Sequence, residues 1–212
     1  YRRQRQMCIR DSYIYLYRWF MKSTIILCSG GARSGKSEFA EQLALSLKGR
    51  KAYVATGQAF DDEMKDRIKK HQLRRGKEWI TFEIPLYLHK NWEQIKNVSD
   101  VILIDCLTMF TSNHVFAHGD INTQEDSNRI ESIILEELRL LLQEINNSND
   151  KTVIFVTNEI GLGIVPENKL ARYFRDITGR VNREVASAAN KMYLTISGVT
   201  IELKSQEVHI NG

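Results

Sequence analysis

Short apolar runs alternate along this chain with longer stretches whose apolar residues recur every three or four positions. That alternation is the signature of a parallel sheet covered by helices on both faces. The runs predict strands near 24–29, 52–56, 101–105, 152–157, 192–197 and 199–204. Only Ser197-Gly198 separates the last two, which predicts a terminal antiparallel hairpin. Helical patterns fall at 36–48, 61–75, 125–146 and 167–190. In the third, Ile130, Ile133, Ile134, Leu138, Leu141, Leu142 and Ile145 form a core-facing stripe. Leu170, Phe174, Ile177, Val181 and Val185 do the same in the fourth, interrupted by Gly179. There is neither an internal repeat nor a low-complexity linker.

The chemistry begins between the first strand and the first helix. Gly30, Gly31, Ala32, Arg33, Ser34, Gly35, Lys36 and Ser37 follow Ile25-Ile26-Leu27-Cys28 and precede Glu38-Phe39-Ala40-Glu41. Glycines at that spacing let backbone N–H groups curl round phosphate oxygens, and the helix that follows points its positive end at them. Lys36 is placed to reach the β- and γ-phosphates and Ser37 to ligate Mg²⁺. Arg33 either adds charge or shapes the loop. The expected fold is therefore α/β and P-loop NTPase-like: a mostly parallel sheet flanked by helices, with the C-terminal hairpin. Val101-Ile102-Leu103-Ile104-Asp105 ends a buried strand in a carboxylate, the companion such a loop needs to hold Mg²⁺ directly or through water. Taken alone, Asp105 reads equally as a cap or turn residue.

Composition narrows the class. The chain has 212 residues, 42% of them hydrophobic, enough for one compact domain with a sizeable core. A net charge of +4, set among 26 acidic residues, suits a small anionic substrate at least as well as a nucleic acid. No apolar stretch is long enough to span a membrane. Cys8, Cys28 and Cys106 lack metal-ligand spacing, and Cys28 and Cys106, beside apolar runs, read as buried reduced thiols, which suits a reducing cytoplasm. Residues 1–20 are basic and aromatic without an amphipathic period, and they lack the apolar centre of a signal peptide. They are expected to be a non-native or disordered leader, with the MCIRDS portion resembling sequencing-adapter read-through; an N-terminal arm reaching a partner subunit is the alternative. Residues 21–212, starting at Met21, form the expected single domain.

Two further segments stand out. Within 61–75, an acidic start and a basic end suit the helix dipole. Arg67, His71 and Arg75 lie at i, i+4 and i+8, with Arg74 beside them, so one face sets an imidazole in a row of guanidinium groups. It is either a solvated basic face with an incidental histidine or a nucleophile. Neighbouring cations depress an imidazole pKa and leave a ring nitrogen free to attack phosphorus. Thr157-Asn158-Glu159 ends another apolar strand, and the loop Gly161 to Asn168 after it shares the carboxyl edge with the phosphate loop. A second substrate fits there, although Gly161, Gly163 and Pro166 also read as turn and helix-start residues.

GGARSGKS, YVATGQAFDDEM, RIKKHQLRR and TNEIGLGIVPENKLARYFRDITGRVN, in that order, resemble the bifunctional adenosylcobinamide kinase and adenosylcobinamide-phosphate guanylyltransferase family of cobalamin biosynthesis, over residues 24 to 204. The resemblance implies two reactions. A γ-phosphate of ATP or GTP goes to the hydroxyl of the aminopropanol arm of adenosylcobinamide. A histidine, matching His71, then takes GMP from GTP and passes it to the phosphorylated corrinoid. Gly30 to Ser37 match the family's phosphate loop, and Ala55, Thr56 and Gly57 a nucleotide contact after the second strand. Gln72, Leu73, Arg74, Arg75, Glu83 and Asp105 match further GTP-binding positions. Some relatives carry glutamate at the position of Asp105 and serine at that of Gly57. Homotrimers are the family's assembly. Two rivals remain at this point: a small-molecule kinase using the phosphate loop alone, and a nucleic-acid-stimulated NTPase, which lacks an aromatic stacking platform here.

Overall fold

A computed structural model of the chain describes residues 22–58, 76 and 78–208. In chain order the elements are β1 (Thr24–Gly30), α1 (Lys36–Ser46), β2 (Lys51–Ala55), β3 (Trp79–Glu83), α2 (Leu88–Val98), β4 (Val101–Asp105), α3 (Leu107–Ala117), α4 (Gln124–Asn147), β5 (Thr152–Asn158), α5 (Lys169–Ala188), β6 (Lys191–Ile196) and β7 (Val199–Glu202). The strands form one sheet ordered β3-β2-β4-β5-β1-β6-β7. All neighbours are parallel except β6 and β7, which form the expected antiparallel hairpin.

Period-two alternation splits the core between the two faces. Ile26, Cys28, Tyr53, Leu103, Ile154 and Val156 join Ala40 and Ala44 of α1 on one side. Ile25, Leu27, Val54, Ile102, Ile104, Val153 and Phe155 face α2, α3, α4 and α5 on the other. Strands covered on both sides need continuous apolar runs, which is why β1, β4 and β5 are legible in the sequence.

Three elements were absent from the expected set. β3 is an edge strand paired with β2 alone and half exposed, so its sequence carries only a diluted strand pattern. α2 buries only Leu88, Trp92 and Ile95 among polar residues. α3 mixes polar and apolar residues on every side, and it buries Thr111, Asn113 and His114 along with Leu107, Phe110 and Val115, so no apolar stripe marks it. One stripe residue also needs correcting. Leu170 is 42% exposed, because the first turns of α5 overhang the sheet instead of covering it. Residues 61–75, where a helix is expected, and Cys8 lie outside the described residues.

β5 lies between β1 and β4, so the ends of those two strands are separated by two strand spacings, roughly 10 Å. The phosphate loop and Asp105 thus flank a gap on the carboxyl edge, the place where open parallel sheets bind ligands.

Candidate nucleotide and phosphoryl-transfer site

The loop between β1 and α1 is built round two glycines. A Cβ on Gly30 would lie 2.5 Å from the Thr195 carbonyl oxygen and 2.6 Å from Ser34 Oγ, so no larger residue fits. Gly35 is the N-cap of α1 at φ 95°, in the left-handed region, and supplies no capping side chain. The first-turn amides of α1 therefore lack a side-chain partner at the cap, as an anion-binding terminus requires. Arg33 also has a positive φ, 58°, and points into solvent. Ser34 N donates to Gly31 O (3.3 Å) and Lys36 Nζ donates to the same oxygen (3.1 Å), which holds the nearly buried ammonium across the loop. From the other side, Gly198 N in the β6–β7 turn donates to Ser34 O at 2.8 Å. Ser34 Oγ is buried without a hydrogen-bond partner, an unmet polar atom in the wall of the cradle. Ala32 is exposed, and Ser37 is half-buried in the first turn of α1.

Asp105 and the end of β2 form the second part. Ala55 pairs with Asp105 on one side and with Glu83 on the other, so the ends of β2, β3 and β4 are level. Tyr53 Oη donates to Asp105 Oδ2 at 2.8 Å, leaving the other carboxylate oxygen for a different partner. Thr56, fully buried, ties β2 to β4: its N donates to Asp105 O, its hydroxyl donates to Cys106 O and accepts from Cys106 N, the last two at 2.7 Å. Asn113 Nδ2 donates to Thr56 O and Pro85 O, which seats α3 across these strand ends. The Cys106 thiol is pushed up to about 11, mainly by burial and next by the charge of Asp105, while Lys36 works against both. Lys36 and Asp105 therefore act on one small region, and Cys106 is no thiolate nucleophile at neutral pH.

The carboxyl edge thus gathers Gly30 to Ser37, Ala55, Thr56, Gly57, Glu83 and Asp105, with Glu83 exposed at its outer end. His71, Gln72, Leu73, Arg74 and Arg75 lie outside the described residues. Next to the phosphate loop, Glu159 N donates to Gly30 O, and Glu159 Oε1 accepts from Gly161 N. Hard oxygen donors on Ser37 and Asp105 match the preference of Mg²⁺. Among the described residues no group of three or more His, Cys, Asp or Glu is set to hold a metal. Any Mg²⁺ here would share its coordination with nucleotide phosphates and water.

Comparison with known proteins decides the family. The family model described as cobinamide kinase / cobinamide phosphate guanyltransferase matches residues 26–203. The chain belongs to this family. It is 41% identical over 182 residues to the bifunctional adenosylcobalamin biosynthesis protein CobU of Escherichia coli (strain K12), covering 85% of this chain and 99% of that protein. It is 34% identical over 180 residues to the bifunctional adenosylcobalamin biosynthesis protein CobP of Pseudomonas aeruginosa, covering 85% and 97%. Among solved structures, an ATPase from the type III secretion system of pathogenic bacteria superposes with a TM-score of 0.52 at 11% identity, over 89% of this chain and 59% of that one. That likeness shows the P-loop NTPase fold. Family membership makes the chain a kinase and guanylyltransferase, hence an enzyme of the transferase class.

Within this family framework, several positioning residues escaped the sequence reading. Tyr53 lies inside an apolar strand and reads as core, yet its hydroxyl orients Asp105. Asn113 sits in α3 among Thr111, Ser112 and His114, where one more polar residue gives no signal of a buried amide. Thr157 Oγ1 donates to Asn182 Oδ1 (2.6 Å) and Asn182 Nδ2 donates to Asn158 O (3.1 Å), which locks α5 to the end of β5. A polar residue within the stripe of α5 marked that position.

Proposed function

We propose that the protein phosphorylates adenosylcobinamide with ATP or GTP, then transfers GMP from GTP through a covalent histidine to give adenosylcobinamide-GDP, in assembly of the nucleotide loop of cobalamin. The observation that carries the reading is the cradle itself: a loop closed round Gly30 and Gly35, with Lys36 drawn across it and Asp105 on the same edge, in a chain matched along most of its length by this family. In the first step the arm's hydroxyl oxygen bonds to the γ-phosphorus as the bond to the β–γ bridging oxygen breaks, and the hydroxyl proton leaves to solvent. Lys36, Arg33 and the first-turn amides of α1 stabilise the charge that spreads over the phosphoryl oxygens. Ser37 and Asp105 would hold Mg²⁺, which supplies further neutralisation of the phosphates. In the second step a ring nitrogen of His71 bonds to the α-phosphorus and pyrophosphate departs. A phosphate oxygen of the corrinoid then displaces the histidine and breaks the N–P bond. Splitting the transfer in two means that the acceptor need not be in place while pyrophosphate leaves.

Gln72, Leu73, Arg74, Arg75, Ala55, Thr56, Gly57 and Glu83 complete the guanine-nucleotide contacts in this reading. The protein works in the cytoplasm as a homotrimer, needs neither nucleic acid nor membrane, and carries its activity on residues 21–212. Incubation with α-labelled GTP tests the central step. An acid-labile, base-stable label on the wild-type protein that is missing from His71→Ala supports it. Absence of label on an active wild-type kinase leaves a simple P-loop small-molecule kinase in its place.

A further inference from the structure

The loop after β5 and the helix α5 flank an open, solvent-facing hollow of about 570 Å³, lined by Gly161, Val165, Arg175, Gly179, Arg180 and Arg183 among others. Its place in the fold follows from the Asn182 contacts. Asn182 is hydrogen-bonded at the end of β5, whereas Asn190, just past α5, donates from its N to Ile25 O near the start of β1. The fourteen residues from Lys169 to Asn182 therefore project about 20 Å past the carboxyl edge of the sheet. Arg183 is level with that edge and Arg175 stands about 10 Å beyond it. The cavity consequently opens on the edge that carries the phosphate loop, and the two are joined through the Glu159 N to Gly30 O bond.

Its chemistry is two-sided. Arg175, Gly179 and Arg183 recur at i, i+4 and i+8, and Gly179 leaves a gap in the row that a Cβ would enter without touching anything within 4 Å. Three guanidinium groups face one carboxylate, Asp176. Arg180 is taken by Glu131 at 2.7 Å, and Arg175 reaches Asp176 at 3.4 Å. Arg183 has no ion-pair partner among the described residues. The loop on the other side is apolar and bare: Val165, which lines the cavity, is 59% exposed, and its chain neighbours Leu162 and Ile164 are 81% and 96% exposed. A small inorganic anion has no use for such a rim. A large ring carrying an anionic arm matches both sides.

We propose that this cavity receives the phosphate-bearing arm of the corrinoid phosphate formed in the first step, with Arg183 and Arg175 on the phosphate and the Leu162–Val165 rim against the macrocycle. This rests on the two-step reading above. The arm's hydroxyl is neutral before phosphorylation, whereas a phosphate monoester carries between one and two negative charges near pH 7. Planar guanidinium forks recognise that group and ignore the alcohol. The site accordingly holds the intermediate more tightly than the starting corrinoid and retains it beside the phosphate loop until guanylyl transfer.

Three measurements on the full chain test this with Arg183→Ala and, separately, Arg175→Ala: labelling by α-labelled GTP alone, KM for cobinamide in ATP-dependent phosphorylation, and KM for cobinamide phosphate in GMP transfer. The expected result is unchanged labelling, a cobinamide KM within about threefold, and a cobinamide-phosphate KM raised roughly 10- to 100-fold, as for one lost charge-assisted hydrogen bond. Arg183→Lys should recover part of the loss. An unchanged cobinamide-phosphate KM in both variants overturns the assignment, and so does an equal rise in both KM values, which would mean that the arginines do not sense phosphate. Gly179→Leu, which fills the row's gap, should raise the same KM. A wild-type protein that neither labels nor transfers GMP overturns the two-step reading itself, an outcome separable from the others.

Discussion

Single atoms govern the phosphate loop. Lys36→Ala removes the cation drawn across the cradle, and both phosphorylation and guanylyl transfer should fall below detection in product assays with each nucleotide. His71→Ala should abolish the GTP label while sparing most ATP-dependent phosphorylation; equal loss of both activities in a folded protein would refute separate roles. Gly30→Ala must push a methyl group into the Thr195 carbonyl, so it should destabilise the fold by roughly 1–3 kcal/mol and weaken nucleotide binding as well. At this scale the sequence was informative where chemistry demands a residue type at a spacing, as from Gly30 to Ser37. It was silent on Tyr53, because a tyrosine in an apolar strand gives no sign that its hydroxyl reaches Asp105 across 52 positions.

Elements show how burial creates pH dependence. His114, in α3, is fully buried between the rings of Phe110, Tyr87 and His118, and neither ring nitrogen has a hydrogen-bond partner. Burial, reinforced by His118 and His89, pushes its pKa down to about 4. The unfolded chain takes up a proton near pH 6.5 that the folded chain refuses until about pH 4. Stability should therefore decline as pH falls between those values, by an amount on the order of 3 kcal/mol. Urea unfolding at pH 7.5 and pH 5 should show a smaller drop for His114→Leu than for the wild type. The anchoring of α5 makes a second case. Asn182→Leu leaves the Thr157 hydroxyl and the Asn158 carbonyl short of a partner, which should cost about 1–3 kcal/mol in the same measurement. Strands covered on both faces were legible beforehand, whereas β3 and α2 were not, because an edge strand and a helix with three buried residues hardly disturb a polar background.

Across the whole molecule, nucleotide binding should raise thermal stability by mass action. At a hundredfold excess over Kd, GTP should contribute about 2.7 kcal/mol and raise Tm by roughly 5–10 °C for a chain of this size. Lys36→Ala should lose most of that shift in a melting experiment, and an undiminished shift would place the nucleotide elsewhere. By itself the sequence determined the layered α/β plan, the terminal hairpin and the identity of the phosphate loop. Each of these rests on local periodicity or on a short motif whose residues are neighbours in the chain. Only the tertiary structure decided that β5 separates β1 from β4, that Tyr53 and Asn113 serve the strand ends, and that α5 overshoots the sheet to bring arginines over a loop. Those relations depend on strand order and on side-chain contacts between distant positions, and a linear pattern of apolar residues fixes which face is buried without fixing which strand lies beside which.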